Sequence, residues 1–197
     1  MITVSREQNV WVTSDWHFFH DKDFCYAARG YKNAEEMTNK LIDKYNEVVG
    51  PDDVVFCLGD CMMGHLNSEK VVKTLSRLNG RIYLILGNHD SDKKVNYYNE
   101  CNNIYVVGYA QMVKWGEGKR SQYFYLSHYP SLCANYDDDK ALYRKIVNIC
   151  GHTHTKDKFA DMDKGYIYHA EVDAHDCKPV NINTIIDDFK EKYYGKI

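Results

Sequence analysis

The sequence predicts an α/β fold built on parallel strands, and two observations carry that expectation. Residues 9 to 90 alternate strand, helix, strand, helix, strand. Such an alternation joins parallel strands through right-handed helical crossovers. In addition, each predicted strand of this stretch ends in a short polar cluster, and open parallel sheets gather function at the carboxyl ends of their strands.

The first strand is expected at Asn9–Ser14, ending in Asp15-Trp16-His17. Asp15 and His17 stand two apart, so on an extended chain they would point to one side, as two ligands of one metal would. A helix is expected over residues 33–49. Asn33 and Glu36 have capping-box spacing, and Met37, Leu41, Tyr45 and Val48 follow the helical period. Asp53–Leu58 is a near-continuous apolar run, typical of a strand covered on both faces, and ends in Gly59-Asp60. A second helix spans about Ser68–Leu78 and stops at Asn79-Gly80. The third strand, Arg81–Leu86, ends in Gly87-Asn88-His89-Asp90, where glycine would permit a sharp turn.

The second half carries shorter strands at Asn103–Val107, Ala110–Trp115, Gln122–Leu126 and Lys145–Cys150. The last two end in Ser127-His128 and Gly151-His152-Thr153-His154. A late strand is expected at Gly165–Ala174, and a terminal helix at about 183–194, capped by Asn181 or Asn183. Along that late strand His169, Glu171, Asp173 and His175 would share a face. They form a polar sheet edge, with His169 or Asp173 near the main site, or a third metal site. Asp137-Asp138-Asp139 reads as a solvated charge run.

Apolar residues at 44% and charged residues at 27% are ordinary for a globular domain, and residues 1–197 read as one. The net charge of -3 offers no general attraction to nucleic acid or anionic membrane, so long nucleic acid and membrane are not expected partners. The start, Met1-Ile-Thr-Val-Ser-Arg, lacks the pattern of a secretory leader, and no apolar run reaches transmembrane length. Seven cysteines without a Cys-x-x-Cys pair suit a reduced, cytoplasmic protein.

Taken in order, Asp15-x-His17, Gly59-Asp60, Gly87-Asn-His-Asp90, His128 and Gly151-His-x-His154 resemble the calcineurin-like metallophosphoesterase superfamily. Ser14-Asp-Trp-His-Phe-Phe-His20 and Lys178-Pro179-Val180 further resemble its compact bacterial and phage-type branch without a large cap domain. The resemblance implies a four-layer αββα sandwich of two mixed sheets flanked by helices, with a dinuclear metal site at the strand ends. It implies one ion held by Asp15, His17, Asp60 and His154, and a second held by Asp60, Asn88, His128 and His152, with Asp60 bridging. The mixed imidazole, carboxylate and amide set suits Mn, Fe, Zn, Co or Ni better than Ca.

The expected reaction is hydrolysis of a phosphate mono- or diester of a small substrate, such as a nucleotide, by a metal-bridging hydroxide. His89 has no metal to bind in this scheme. It is left to protonate the leaving oxygen, with Asp90 orienting its ring. His20 and Arg29 are candidate substrate contacts, although Arg29-Gly30-Tyr31 stands where this branch often has Arg-Pro-Phe. A nuclease acting on single strands or ends, and a metal-dependent binding module without turnover, are the alternatives. Lack of a basic, aromatic-interleaved stripe speaks against the first, and the intact ligand set with His89 speaks against the second.

Overall fold

The computed structural model describes residues 1–133, 141–160 and 166–195. Asp137-Asp138-Asp139 and Gly165 lie outside the described residues. The first half forms β1 (Ile2–Val4), β2 (Val10–Thr13), α1 (Asp23–Tyr26), α2 (Ala34–Asn46), β3 (Val54–Cys57), α3 (Ser68–Leu75), β4 (Arg81–Ile85) and α4 (Asp92–Tyr98). The second half forms β5 (Ile104–Gly108), β6 (Ala110–Trp115), β7 (Gln122–Ser127), β8 (Ile146–Cys150), β9 (Ile167–His169), β10 (Val180–Asn181) and α5 (Ile182–Tyr194).

Two mixed sheets face each other, flanked by helices. One has the order β10-β2-β3-β4-β5, the other β1-β6-β7-β8-β9. β2, β3, β4 and β5 run parallel, as the alternation required, and β10 closes that edge antiparallel. In the other sheet, among the described strands, only β6 and β7 are antiparallel neighbours.

The two-residue period of the strands divides the core. Val10, Val12, Val54, Phe56 and Ile85 turn toward Val113, Phe124, Leu126, Val147 and Ile149 of the opposite sheet. Val55, Cys57, Ile82 and Leu84 turn the other way, onto Met37, Leu41 and Tyr45 of α2 and Val71 and Leu75 of α3. This two-sided burial explains the continuous apolar runs of β3 and β4. α5 joins the sheets: its Ile182, Ile185, Ile186 and Phe189 enter the inter-sheet core, and the Phe189 ring packs against Tyr166 and Tyr168.

Local signals explain the helix ends. The Asn33 side chain accepts from the Glu36 N–H at 2.8 Å, while Glu36 reaches back to the Lys32 N–H at 2.7 Å. α2 is shorter than its apolar stripe, because Val48 and Val49 both bond back to the Tyr45 carbonyl in a closing turn. α4 carries little apolar periodicity and buries only Tyr98 among its residues, so it gave no sequence signal.

The late strand departs from expectation. It is regular only over Ile167–His169, after which Glu171 bridges Ser14 of the opposite sheet and Val172–Ala174 form a short 3₁₀ turn. The Val172 N–H bonds the Ser14 carbonyl at 3.1 Å, which draws the chain away from β8. His169, Glu171, Asp173 and His175 therefore do not line one strand face, and the third metal site read from their spacing loses its basis.

Removing the Phe189 ring should cost about 3–5 kcal/mol, the usual range for a fully buried aromatic. Urea unfolding of Phe189→Ala tests this. A loss under about 1 kcal/mol would show that α5 is not part of the joint core.

Candidate metal centre

Parallel strands deliver the polar clusters to a common edge. Asp15 and His17 follow β2, Asp60 follows β3, Asn88 and His89 follow β4, His128 follows β7, and His152 and His154 follow β8. Asp15, His17, Asp60, His152 and His154 all have left-handed backbones, with φ of 59°, 50°, 55°, 75° and 51°. A non-glycine residue there costs on the order of 1–3 kcal/mol and persists only where its surroundings hold it. Here the strand pairing is prolonged: the Asp15 N–H bonds Gly59 O, His17 N–H bonds Asp60 O and Phe18 N–H bonds Cys61 O. Asp15 and His17 thus converge through two left-handed residues, and the extended chain expected there is corrected.

Two groups of donors result. In the first, the Asp15 Oδ1 atom lies 3.6 Å from both His17 Nε2 and His154 Nε2, and those two nitrogens are 3.1 Å apart. In the second, Asn88 Oδ1 lies 2.9 Å from His128 Nε2 and 3.0 Å from His152 Nδ1, with the nitrogens 3.2 Å apart. Asp60 Oδ2 stands between the groups, 3.6 Å from His17 Nε2 and 3.6 Å from His128 Nε2.

The tautomers show that these contacts suit a cation. His128 Nδ1 faces the Leu58 carbonyl at 2.8 Å and must donate to it, so Nε2 carries a lone pair. His154 Nδ1 likewise donates to Asp173 Oδ2 at 2.8 Å, which turns its Nε2 lone pair toward His17. Asp15 Oδ1 is buried and has no hydrogen-bond partner among the described residues. The lone pairs of His128 Nε2 and His154 Nε2 with the unpartnered Asp15 Oδ1 fit a divalent ion, and separations of 3.1–3.6 Å suit donors sharing a centre about 2.0–2.2 Å away. Asp15, His17 and His154 form one group that could hold metal; Asp15, Asp60 and His128 form another.

Close approach explains the glycines. A Cβ on Gly87 would stand 2.2 Å from Asp60 Oδ1, and one on Gly151 would stand 2.3 Å from Asp15 Oδ2. Gly87 is therefore needed for space beside Asp60, since its φ is not in the left-handed region.

Asp90 and Arg29 take roles other than those expected. Asp90 is buried, and its oxygens accept from the N–H groups of Asp60 at 2.7 Å, Gly87 at 2.9 Å and Cys61 at 3.3 Å, and from the Tyr98 hydroxyl at 2.8 Å. Its carboxylate is turned to the loops that carry Asp60, so it cannot also orient the His89 ring. Burial pushes its carboxyl up, against the pull of those hydrogen bonds. Arg29 is equally committed. Its Nε and one terminal nitrogen grip Asp173 at 2.8 and 2.7 Å, and its remaining donors meet the carbonyls of Trp16 and Asp15 and the Met37 sulfur. No N–H is left for a phosphate, so Arg29 is a brace: it fixes Asp173, which fixes His154.

His89 and His20 do face open space. They border a cavity of about 520 Å³ with His17, His154, Phe24 and Lys156. His89 is 44% exposed at its side chain, with Nε2 3.9 Å from Asp60 Oδ2. Phe24 and Lys156 escaped the sequence reading. Phe24 sits on the four-residue α1, too short for a periodic signal, and Lys156 lies two residues beyond His154.

Charge follows the same geometry. Burial alone would raise the Asp15 carboxyl, but His17 and Ser14 beside it, with His128 and His154, bring it below the usual range. Burial pushes the His17 and His152 imidazoles down. Asp173 holds His154 above its ordinary value, against burial.

Two facing mixed sheets with this cluster at their strand ends define an α/β protein whose Asp and His groups could hold divalent metal. The family is more specific. Residues 8–161 match the calcineurin-like phosphoesterase family, and the chain belongs to it. It is 39% identical over 83 residues to an uncharacterized protein of Methanocaldococcus jannaschii, a match covering 42% of this chain and 47% of that one. The chain thus spans about half the length of that relative. It is 26% identical over 200 residues to the gene 66 protein of Mycobacterium phage D29, covering 93% of this chain and 98% of the other. This agrees with the compact phage-type branch. A protein of unknown function from Aquifex aeolicus shares the fold, with a TM-score of 0.63 at 22% identity over 93% of this chain and 100% of that one. No described helix is long and apolar enough to cross a membrane.

The Arg29–Asp173 pair gives a pH prediction. Burial acts to raise the Asp173 carboxyl, but Arg29 and then His154 outweigh it and hold it well below its ordinary value. A depressed carboxyl stabilises the fold fully above its unfolded value near 4, and this contribution fades as pH falls below it. Asp173→Asn, which strands the buried guanidinium, should cost about 3–5 kcal/mol at pH 7. The gap from wild type should narrow at pH 3. Equal gaps at both pH values in urea unfolding would contradict the assignment.

Proposed function

We propose that this chain hydrolyses a phosphate mono- or diester of a small substrate, a nucleotide being one candidate, with two divalent transition ions at the strand ends. Its family supports metal-dependent phosphoester chemistry. The observation that carries the finer reading is the position of Asp60 Oδ2, 3.6 Å from an imidazole nitrogen of each donor group. Asp15, His17, Asp60 and His154 would hold one ion, and Asp60, Asn88, His128 and His152 the other. Mn, Fe, Zn, Co or Ni suit these donors. Such ions, when bound, activate water at neutral pH and neutralise charge on the phosphoryl group.

The chain's own part is positioning and proton delivery. The left-handed loops fix the donors before substrate arrives, so their ordering cost is met in folding. His89 stands beside Asp60 at the cavity wall, half-exposed and outside both donor groups. It donates a proton to the leaving oxygen as the ester bond breaks. His20, at the same cavity, contacts the substrate. The cavity is small and the chain acidic overall, which favours a short substrate over long nucleic acid. A complete donor set with a free imidazole beside it favours turnover over a binding module. The cysteines, none in a disulfide, accord with a reduced cytoplasmic setting.

Chelator should abolish turnover, and added Mn or Ni should restore it; full activity after metal removal would end the reading. Asp60→Asn should disturb both ions and impair all substrates together. His89→Asn should keep the metal, lose about 10²–10⁴-fold on an alkyl ester and much less on a nitrophenyl ester, whose leaving group needs no proton. Equal losses on both, with chemistry rate-limiting and metal retained, would remove His89 from leaving-group protonation.

A further inference from the structure

A second cavity, of about 460 Å³, lies between the loop around His65 and helix α4. Lys70, Lys93 and Lys94 line it together with Asn67 and Ser91, and no carboxylate does. Among the described residues none of the three lysines is in an ion pair. Lys70 Nζ stands 3.8 Å over the Phe19 ring, and Lys93 Nζ is 5.9 Å from the Tyr97 ring. Aromatic faces hold an ammonium in place without cancelling its charge. Lys94 Nζ donates to the carbonyls of Met62 at 2.5 Å and His89 at 2.7 Å, which occupies two of its three N–H groups. In a chain of net charge -3 this concavity is a local reversal of sign. Three lysines lining one concavity with amide and hydroxyl neighbours offer the chemistry of a phosphate site.

Its location gives it a role. Lys94 ties the cavity wall to the backbone of His89, the residue read above as the proton donor to the leaving oxygen. We propose that this cavity receives a second phosphate, carried on the leaving portion of the substrate. The proposal rests on the phosphoesterase reading, and it narrows the substrate class to esters with two phosphates. A terminal phosphate of a small molecule and a backbone diester of a short oligonucleotide present the same chemistry here.

The test uses the full, metal-loaded chain and the variant Lys70→Gln/Lys93→Gln, which touches neither donor group nor His89. Matched pairs are compared: adenosine 3′,5′-bisphosphate against the two monophosphates, and a dinucleotide with and without a terminal phosphate. Wild type should prefer the member with the extra phosphate by about tenfold or more in kcat/KM, mainly through KM. The variant should lose that preference and keep its activity on the plain member within about twofold. Titration of the zinc-loaded protein with inorganic phosphate should shift backbone amides of residues 64–70 and 91–97, and the variant should abolish those shifts. An equal preference in both proteins, or phosphate shifts confined to the strand-end loops, would overturn the proposal. No turnover of any ester, with the amide shifts intact, would overturn the phosphoesterase reading and keep the anion site. A preference that keeps rising with oligonucleotide length would assign the cavity to backbone diesters rather than to a terminal phosphate.

Discussion

Asp60 reaches both donor groups because Asp90 holds the chain beneath it. One Asp90 oxygen accepts from the N–H groups of Asp60 and Gly87, joining the loops after β3 and β4, and the other accepts from Tyr98 and Cys61. The His89 N–H returns the connection by bonding Asp60 Oδ1 at 2.9 Å. A left-handed Asp60 is costly by itself, and this closed set of bonds is what makes it the stable choice. The absent side chain at Gly87 lets the two loops approach at all.

The same economy recurs on the other flank. Arg29 spends every donor on Asp173, two carbonyls and a sulfur, and Asp173 in turn fixes the tautomer of His154. Glu171 accepts from Thr153 at 2.7 Å and from the Thr155 N–H at 3.3 Å, and so steadies the loop carrying both late histidines. Asp173 sets which nitrogen of His154 is free, as the Leu58 carbonyl does for His128, and thereby what each of these two rings can offer a cation. The polar residues after β9 matter as support for the ligand loops. Their apparent alternation in sequence had no structural meaning, because the chain leaves the sheet at Ala170 to reach Ser14.

Charge is distributed unevenly around this site. Carboxylates cluster where cations would bind, and beyond His89 three lysines line a cavity to which no described carboxylate contributes. Such a division would hold an ester between a metal-rich and an ammonium-rich side. The field acts locally, since salt screens exposed charges beyond about 8–10 Å.

The sequence by itself determined the α/β class, the parallel order of β2, β3 and β4, and the motif residues at the strand ends. Those follow from hydrophobic period and from polar residues placed where buried strands stop, which are local properties of a chain. Even the cap at Asn33 was legible for that reason. Only the tertiary structure decided what Asp90 and Arg29 do, since both look like site residues and both turn out to spend their hydrogen bonds on protein. It also decided that Asp15 and His17 meet through left-handed turns, that Gly87 serves space rather than φ, and that Lys70, Lys93 and Lys94 share a cavity. A hydrogen-bonding group shows its chemistry in sequence, but not its partner, because the partner is chosen by distances between segments far apart in the chain.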